Sequence, residues 1–154
     1  MADFNLFDDH EWDAESDRDG FRHLRTAVGE RLGGRLLGGS LYELPPGERT
    51  WPFHYEEGCE EWLIVVSGNP VLRAADGERE LRPGDVVVFP EGPSGAHQVI
   101  NRSDRRCRVF VLSSKGPVAI VRYPDSGKVG LWTRVGGQTI LRDGPELDYW
   151  EGET

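Results

Sequence analysis

Two imidazoles and two carboxylates stand in two short segments of this 154-residue chain, in a pattern suited to binding a metal ion. The first segment carries His54, Glu56 and Glu61, and the second carries His97. Imidazole nitrogens and carboxylate oxygens bind first-row divalent metals at about 2.0–2.2 Å. Because two hairpins can bring four such groups together, a divalent metal site made by these side chains is the leading interpretation.

The spacing in the first segment fits this interpretation. His54 and Glu56 are two residues apart, so on an extended chain both side chains project from the same face. Glu61 follows a turn predicted at residues 57–59 and can return toward the same point. These three side chains are therefore expected to face one another.

The fourth side chain, His97, begins a predicted strand after a segment rich in proline and glycine. We expect its partner strand to begin at Asp85, so that the segment between them closes a hairpin. A simpler alternative stays open for each group. His97 could bond only to a backbone carbonyl, and Glu61 would face solvent if the strand register were shifted by one residue.

The elements that must position these groups are β-strands. Segments rich in β-branched and aromatic residues recur about every ten residues, separated by turn residues, which predicts an all-β antiparallel domain. The predicted strands cover residues 35–44, 61–66, 71–75, 78–82, 85–89, 97–101, 107–112 and 118–123. A single weakly periodic helix is predicted, within residues 20–30.

The strand at residues 61–66 is apolar on both faces except for one carboxylate. Alternation divides it into two faces: Glu61, Leu63 and Val65 lie on one, and Trp62, Ile64 and Val66 lie on the other. An outer face this apolar is expected to pack under another sheet or a second subunit, which predicts a homodimer. On the inner face, Glu61 needs a cation or hydrogen bonds to offset its desolvation.

Charge and cysteine content exclude several functions. The net charge is −9, and residues 1–20 hold eight acidic residues against one basic residue, so the acidity belongs mostly to a terminal arm that we expect to be solvated. The only cluster of basic residues, within residues 102–108, lies at an expected hairpin turn, so neither nucleic acid nor an anionic membrane is an expected partner. The two cysteines, Cys59 and Cys107, build no disulfide framework, which predicts a cytoplasmic protein.

The pattern of glycines, histidines and carboxylates resembles the cupin superfamily. Its first motif is matched by Gly47, His54, Glu61 and Gly68, and its second by Gly84, Pro90, Gly92, His97 and Asn101. The chain departs from the family pattern at Glu56, where the family has a second histidine, and by two extra residues between Gly92 and His97. Residues 60–63, 92–97 and 123–128 are similar to segments of small single-domain bacterial cupins.

This resemblance implies a fold and a domain organisation. The fold is a double-stranded β-helix, or jelly-roll barrel, with short extensions at both ends. Residues 1–30 form an acidic N-terminal arm and residues 31–128 form the barrel. Residues 129–154 form a C-terminal extension that packs on the barrel or on a dimer partner.

The resemblance also implies the site. His54, Glu61 and His97 carry over as ligands of a divalent ion, which would be Zn, Mn, Fe or Ni. Glu56 is either a fourth ligand or a catalytic general base. Tyr42, Trp51 and Phe53 are expected to shape the pocket, whereas the other two histidines, His10 and His23, are assigned to the surface.

Three functions agree with this site. The first is a metal-dependent enzyme, such as a dioxygenase, isomerase or lyase, that acts on a small organic molecule in the barrel cavity. The second is a non-catalytic module that binds a sugar or an organic acid. The third is a purely structural barrel that has kept the motif without a metal.

Overall fold

The computed structural model describes residues 3–133 and 136–153 and is built almost entirely of β-strands. The strands are β1 (Ala14–Ser16), β2 (His23–Thr26), β3 (Leu37–Leu44), β4 (Tyr55–Glu57), β5 (Glu61–Ser67), β6 (Val71–Ala74), β7 (Gly77–Glu80), β8 (Val86–Phe89), β9 (His97–Ile100), β10 (Cys107–Ser114), β11 (Val118–Tyr123), β12 (Lys128–Thr133) and β13 (Gly137–Arg142). One α-helical turn, α1, spans Val28–Arg31, and a 3-10 turn spans Pro93–Gly95.

The strands form three antiparallel sheets. The largest has the order β1-β2-β3-β10-β5-β8, the second β13-β12-β11-β4, and the third β7-β6-β9. A single bridge between His54 and His97 joins the edge of the second sheet to the edge of the third. These two smaller sheets together form the wall that faces the largest sheet, which confirms the predicted all-β antiparallel architecture.

The core lies between these walls and follows from the alternation of β5. Leu63 and Val65 are fully buried there, against Leu72 of β6, Val99 of β9 and Val109 of β10. Burying one such aliphatic side chain stabilises the fold by about 1.5–3 kcal/mol. Since Glu61 lies on the same face of β5, the core fixes the direction in which its carboxylate points.

All eight predicted strands are present, with ends within two residues of the prediction. The prediction of a helix within residues 20–30 was largely wrong, because β2 occupies part of that range and only α1 is helical. Five strands were not predicted as such: β1, β2, β4, β12 and β13. Most of them are short or lie near a terminus, where the alternation of apolar residues is weak.

The expected partner of β9 was also wrong. β9 pairs with β6, whereas β8 pairs with β5 in the largest sheet. The segment between β8 and β9 therefore crosses from one wall of the barrel to the other. This crossing brings His97 opposite His54, an arrangement that a local hairpin would not give.

The acidic arm is not simply solvated. Phe4, Leu6 and Trp12 pack against the second apolar cluster, which includes Val66 on the outer face of β5. β1 and β2 then continue the largest sheet. The apolar residues that alternate with the acids supply this contact, so the chain itself covers part of the face that was expected to need another sheet or subunit.

The C-terminal region divides into two parts. β12 and β13 extend the second sheet beside β11. Beyond them, Leu147, Tyr149 and Trp150 are exposed. The predicted packing of this extension on the barrel or on a dimer partner, and the predicted domain limits, stay predictions.

Within the described residues, no helix has the length and apolar character needed to cross a membrane.

Candidate metal centre

Both histidines of the candidate site are held in one orientation by backbone carbonyls. His54 Nδ1 lies 3.0 Å from the carbonyl oxygen of Pro52, and His97 Nδ1 lies 2.9 Å from that of Gly95. A carbonyl oxygen can only accept a hydrogen bond, so each Nδ1 carries the proton. Each Nε2 is then left with its lone pair free, which is the form that ligates metals.

Burial keeps both rings neutral. It lowers the pKa of His54 to about 4 and, with a further contribution from His54, the pKa of His97 to about 3. His97 Nε2 lies 3.4 Å from Glu61 Oε2, and His54 Nε2 lies 4.0 Å from the same oxygen. At neutral pH these contacts are therefore not ion pairs, because both imidazoles are uncharged.

Glu61, the first residue of β5, is the side chain of the site whose negative charge is most strongly disfavoured by burial. Burial raises its pKa well above the usual range, and the nearby Glu56 charge raises it further. Among the described residues, neither Glu61 Oε2 nor His97 Nε2 has a hydrogen-bond partner, although both atoms are buried. Buried polar atoms without partners are rare and call for a physical explanation.

A divalent cation fits this arrangement. One donor atom from each of His54, Glu61 and His97 lies within 4.8 Å of the others. Two neutral imidazole nitrogens and one carboxylate oxygen are a common ligand set for zinc and other first-row metals. An ion among them would satisfy both unpartnered atoms, so these three side chains could hold a metal.

Glu56 borders this cluster from β4. Its Oε1 lies 3.9 Å from His54 Nε2, which agrees with the prediction that the two side chains share a face. Burial raises the pKa of Glu56 above its usual value. Cys59 is buried nearby, and burial, followed by the Glu56 charge, raises its pKa so far that it stays a thiol.

Aromatic rings fix the imidazole planes. Phe89 stacks on His97 with ring centroids 3.6 Å apart and planes inclined by 3°. Trp51 meets both imidazoles edge-on, at 5.8 Å from His54 and 5.9 Å from His97. Such packing restricts the rotation of the imidazoles and orients their Nε2 atoms before any ligand arrives.

The site opens into a cavity of about 340 Å³. Tyr42 and Trp51 line it, as expected, whereas Phe53 lines the neighbouring cavity instead. His23 was assigned to the surface, and that assignment was wrong, because β2 places it in the cavity wall. Other lining residues were not anticipated: Arg25, Thr50, Val111, Val121, Tyr123 and Trp132.

The residues missed by sequence reasoning come largely from β2, β11 and β12. A signal was available for β2, because His23 and Arg25 alternate with Leu24 and Thr26, and this alternation is typical of a strand. The prediction of a helix over the same residues concealed it.

Gly95 provides a test of how the loop positions His97. A Cβ at this position would lie 1.8 Å from the backbone oxygen of Pro90, and the Gly95 carbonyl accepts the His97 Nδ1 bond. We predict that Gly95→Ala costs about 1–3 kcal/mol of unfolding free energy and weakens metal retention.

Urea unfolding and metal analysis would measure both effects of Gly95→Ala. Gly144→Ala is the matched control, because a Cβ there meets no atom within 4 Å. Equal stability and equal metal content in the two variants would contradict the role given to Gly95.

Fold and site together define a class: a small antiparallel β-barrel whose inward strand ends carry a histidine and carboxylate cluster. Comparison with known proteins agrees. Residues 40–113 match the family model described as Cupin domain. This match and the structural neighbours below support a small domain of the cupin superfamily.

The chain is also similar to individual proteins. Auxin-binding protein ABP19b of Prunus persica is 33% identical over 117 residues, which cover 71% of this chain and 54% of that protein. The chain thus spans about half the length of this curated relative. Among solved structures, one neighbour is a sugar phosphate isomerase from Silicibacter pomeroyi, described as from a cupin superfamily. It has a TM-score of 0.76 and 29% identity, and the match covers 85% of this chain and 82% of that chain.

A more distant neighbour supports the fold alone. The polyketide cyclase RemF from Streptomyces resistomycificus has a TM-score of 0.57 at 22% identity, covering 74% of this chain and 79% of that chain.

Proposed function

We propose that the protein binds one divalent metal ion through His54, Glu61 and His97 and acts on a small organic molecule in the adjoining cavity. The observation that carries this proposal is the pair of buried, unpartnered atoms, His97 Nε2 and Glu61 Oε2, that face each other at 3.4 Å. A cation between them offsets the desolvation of the carboxylate.

The ligand set supports a reactive site over a purely structural one. Structural zinc sites are closed by four protein ligands, whereas catalytic sites keep a position open for water or substrate. Three ligands beside a cavity follow the second pattern. When bound, the ion would supply Lewis-acid chemistry to an oxygen of the substrate, suited to oxygenation, isomerisation or elimination.

The identity of the metal follows less directly from the ligands. Nitrogen and oxygen donors without thiolate suit Zn, Mn, Fe or Ni. The carboxylate of Glu56, as a fourth ligand, would favour the harder ions of this group. Metal analysis after expression in medium containing all four would identify the preferred ion.

Within this site, we propose one of two roles for Glu56. It either completes the ligand set or moves a proton for the substrate as a general base. The raised pKa of Glu56, caused by burial, brings it closer to neutral pH and suits proton transfer. Its 3.9 Å distance to His54 Nε2 suits either role.

Glu56→Gln separates these roles. If Glu56 is the base, we expect the variant to keep its metal, bind ligand as the wild type does, and lose about 10²–10⁴-fold in turnover. If it is a ligand, metal affinity falls as well. Metal analysis and ligand titration of the same preparation distinguish the two, and unchanged turnover with unchanged metal would exclude both.

The names of the relatives suggest small-molecule ligands. One neighbour is named a sugar phosphate isomerase and one relative an auxin-binding protein. The first name favours an isomerase, and the second favours the alternative of a non-catalytic binding module for a sugar or organic acid. NMR of metal-loaded protein with sugar phosphates and organic acids discriminates them, since an isomerase converts its ligand and a binding module returns it unchanged.

We also propose a homodimer formed through the outer face of β5 and β8. Trp62 lies directly opposite Val88, and these two side chains and Val86 are exposed there. Exposed aromatic and aliphatic side chains side by side suit an interface between copies. Sedimentation of the wild type and of Trp62→Arg tests this, and a wild-type monomer would overturn it.

Two further proposals rest on the sequence. A cytoplasmic location is supported by Cys59 and Cys107, which are both free and buried. The absence of nucleic-acid and membrane partners is supported by the acidic net charge of −9. Fractionation of cells and a binding assay with duplex DNA and anionic vesicles would test these two proposals.

A further inference from the structure

The second strand places a guanidinium on the inner wall of the barrel. Arg25 pairs directly with Tyr42 of β3, so the two side chains project from the same face of the sheet. Both line the cavity that holds the candidate metal ligands. Arg25 therefore shares a cavity with His54 and Glu61, although it lies on a strand that precedes both of them in the chain.

The guanidinium is positioned but not neutralised by the protein. Arg25 Nε donates a hydrogen bond to Ser40 Oγ at 3.1 Å, which holds the guanidinium in place on the side nearest its own backbone. Across the described residues, no carboxylate oxygen lies within 4.0 Å of its nitrogen atoms. By contrast, Arg73 and Arg122 are each paired with carboxylates. Among the described residues, the guanidinium thus has two hydroxyl neighbours, Ser40 and Tyr42, but no anionic partner.

The charge balance of the cavity points the same way. Among its described lining residues, the charged side chains are Arg25, Glu56 and Glu61. A divalent ion at the proposed metal site balances the two carboxylates, and both site histidines are neutral. Arg25 is then the charge left without a counterion, and in a partly dehydrated cavity an anion is its natural partner.

We propose that the molecule taken up by this cavity is a small anion whose carboxylate or phosphate group binds Arg25 while an oxygen at its other end faces the metal ligands. This inference rests on the proposed metal function and adds its substrate class. A guanidinium presents paired N–H donors that match carboxylate and phosphate oxygens. A cavity of about 340 Å³ suits a molecule of this kind.

His23 adds selectivity beside this anion site. Its Nδ1 lies 2.9 Å from the Phe21 carbonyl oxygen and therefore carries the proton, which leaves Nε2 as an acceptor. Its ring meets Tyr42 edge-on at 5.5 Å. An acceptor next to Arg25 suits a hydroxyl group near the anionic end, as hydroxy acids and sugar phosphates have.

Two matched ligand pairs test the proposal by calorimetry on metal-loaded protein. Glucose 6-phosphate is compared with glucose, and 3-hydroxybutyrate with 1,3-butanediol, so that each pair differs mainly in the anionic group. In at least one pair we expect the anion to bind about tenfold more tightly than its neutral partner, and Arg25→Met to abolish that preference. The pair that shows it identifies phosphate or carboxylate as the recognised group.

Arg49→Met is the control, because Arg49 lines the neighbouring cavity, where its guanidinium lies 5.4 Å from the Phe21 ring. We expect it to keep the preference for the anion. Equal binding within both pairs, absence of binding by either anion, or a preference that survives in Arg25→Met would each overturn the proposal. Metal content is measured on every sample. If the wild type holds no metal, the proposed metal function fails, and this outcome is distinguished from a failure of the anion proposal.

Discussion

His97→Ala is expected to abolish metal retention while leaving a folded barrel. His97 supplies a free Nε2 that faces Glu61 Oε2 at 3.4 Å, and two ligands hold a divalent ion far more weakly than three. Wild-type protein purified after metal-replete expression should carry about one ion per chain, and the variant close to none. Elemental analysis of dialysed samples measures this difference.

Stability must be followed in the same experiment, because His97 is buried against Phe89. Removing the ring leaves a cavity that we expect to cost about 2 kcal/mol. Circular dichroism would show whether the strands persist, and His97→Gln, which fills more of the space, serves as the second variant.

His10→Ala is the matched control for His97→Ala. His10 also packs against aromatic rings, at 5.0 Å from Phe4 and 4.6 Å from Trp12, but lies outside the candidate site. It should keep a full complement of metal. Wild-type metal content in folded His97→Ala would count decisively against the ligand assignment.

Glu61→Gln should have opposite effects on the metal-free and the metal-loaded protein. Burial and the nearby Glu56 charge both disfavour the ionised carboxylate of Glu61. A neutral amide of the same shape removes that cost, so we expect the metal-free variant to be more stable than wild type by about 1–2 kcal/mol. The same change removes the anionic ligand, so the stabilisation by added metal should disappear.

Urea unfolding with and without metal measures both effects of Glu61→Gln. At a metal concentration one hundred times the dissociation constant, the wild type should gain about 2.7 kcal/mol, and the variant almost nothing. Glu80→Gln, on exposed β7, is the control and should behave as wild type in both conditions. A metal-free Glu61→Gln protein that is less stable than wild type would mean that the carboxylate makes a favourable contact in the protein itself.

Much of the barrel could be predicted from sequence because its central strands are either strongly apolar or alternate clearly. β5 is the best example: its pattern predicted both the buried Leu63 and Val65 and the inward direction of Glu61. The tight turn between β6 and β7 lies at Ala75 and Asp76, one residue before the gap left between the predicted strands 71–75 and 78–82. Local chemistry determined these elements.

The pairing of distant strands was harder to predict. The partner of β9 was taken to be β8, its neighbour in sequence, whereas the barrel pairs it with β6. Nothing local distinguishes a hairpin loop from a segment that crosses between two walls. His54, Glu61 and His97 still lie together as a cluster, because the crossing segment brings His97 opposite His54.

The wall of the cavity was the least predictable part of the site. Arg25 and His23 alternate with Leu24 and Thr26 in a strand of only four residues, and the direction of their side chains depends on β2 adding to the edge of β3. Such an addition is a tertiary event that the sequence of β2 alone does not specify. Arg25 and His23, which we propose to select the ligand, were therefore missed, whereas the cluster of His54, Glu61 and His97 was anticipated.

Anomalous X-ray diffraction from crystals of metal-loaded protein would test the central claim most directly. Data collected on both sides of the absorption edge of the loaded metal locate the ion independently of the protein density. The account predicts one strong peak within about 2.0–2.2 Å of His54 Nε2, His97 Nε2 and a Glu61 carboxylate oxygen. An anomalous map without a peak at these three atoms, or with its peak elsewhere on the protein, would contradict it.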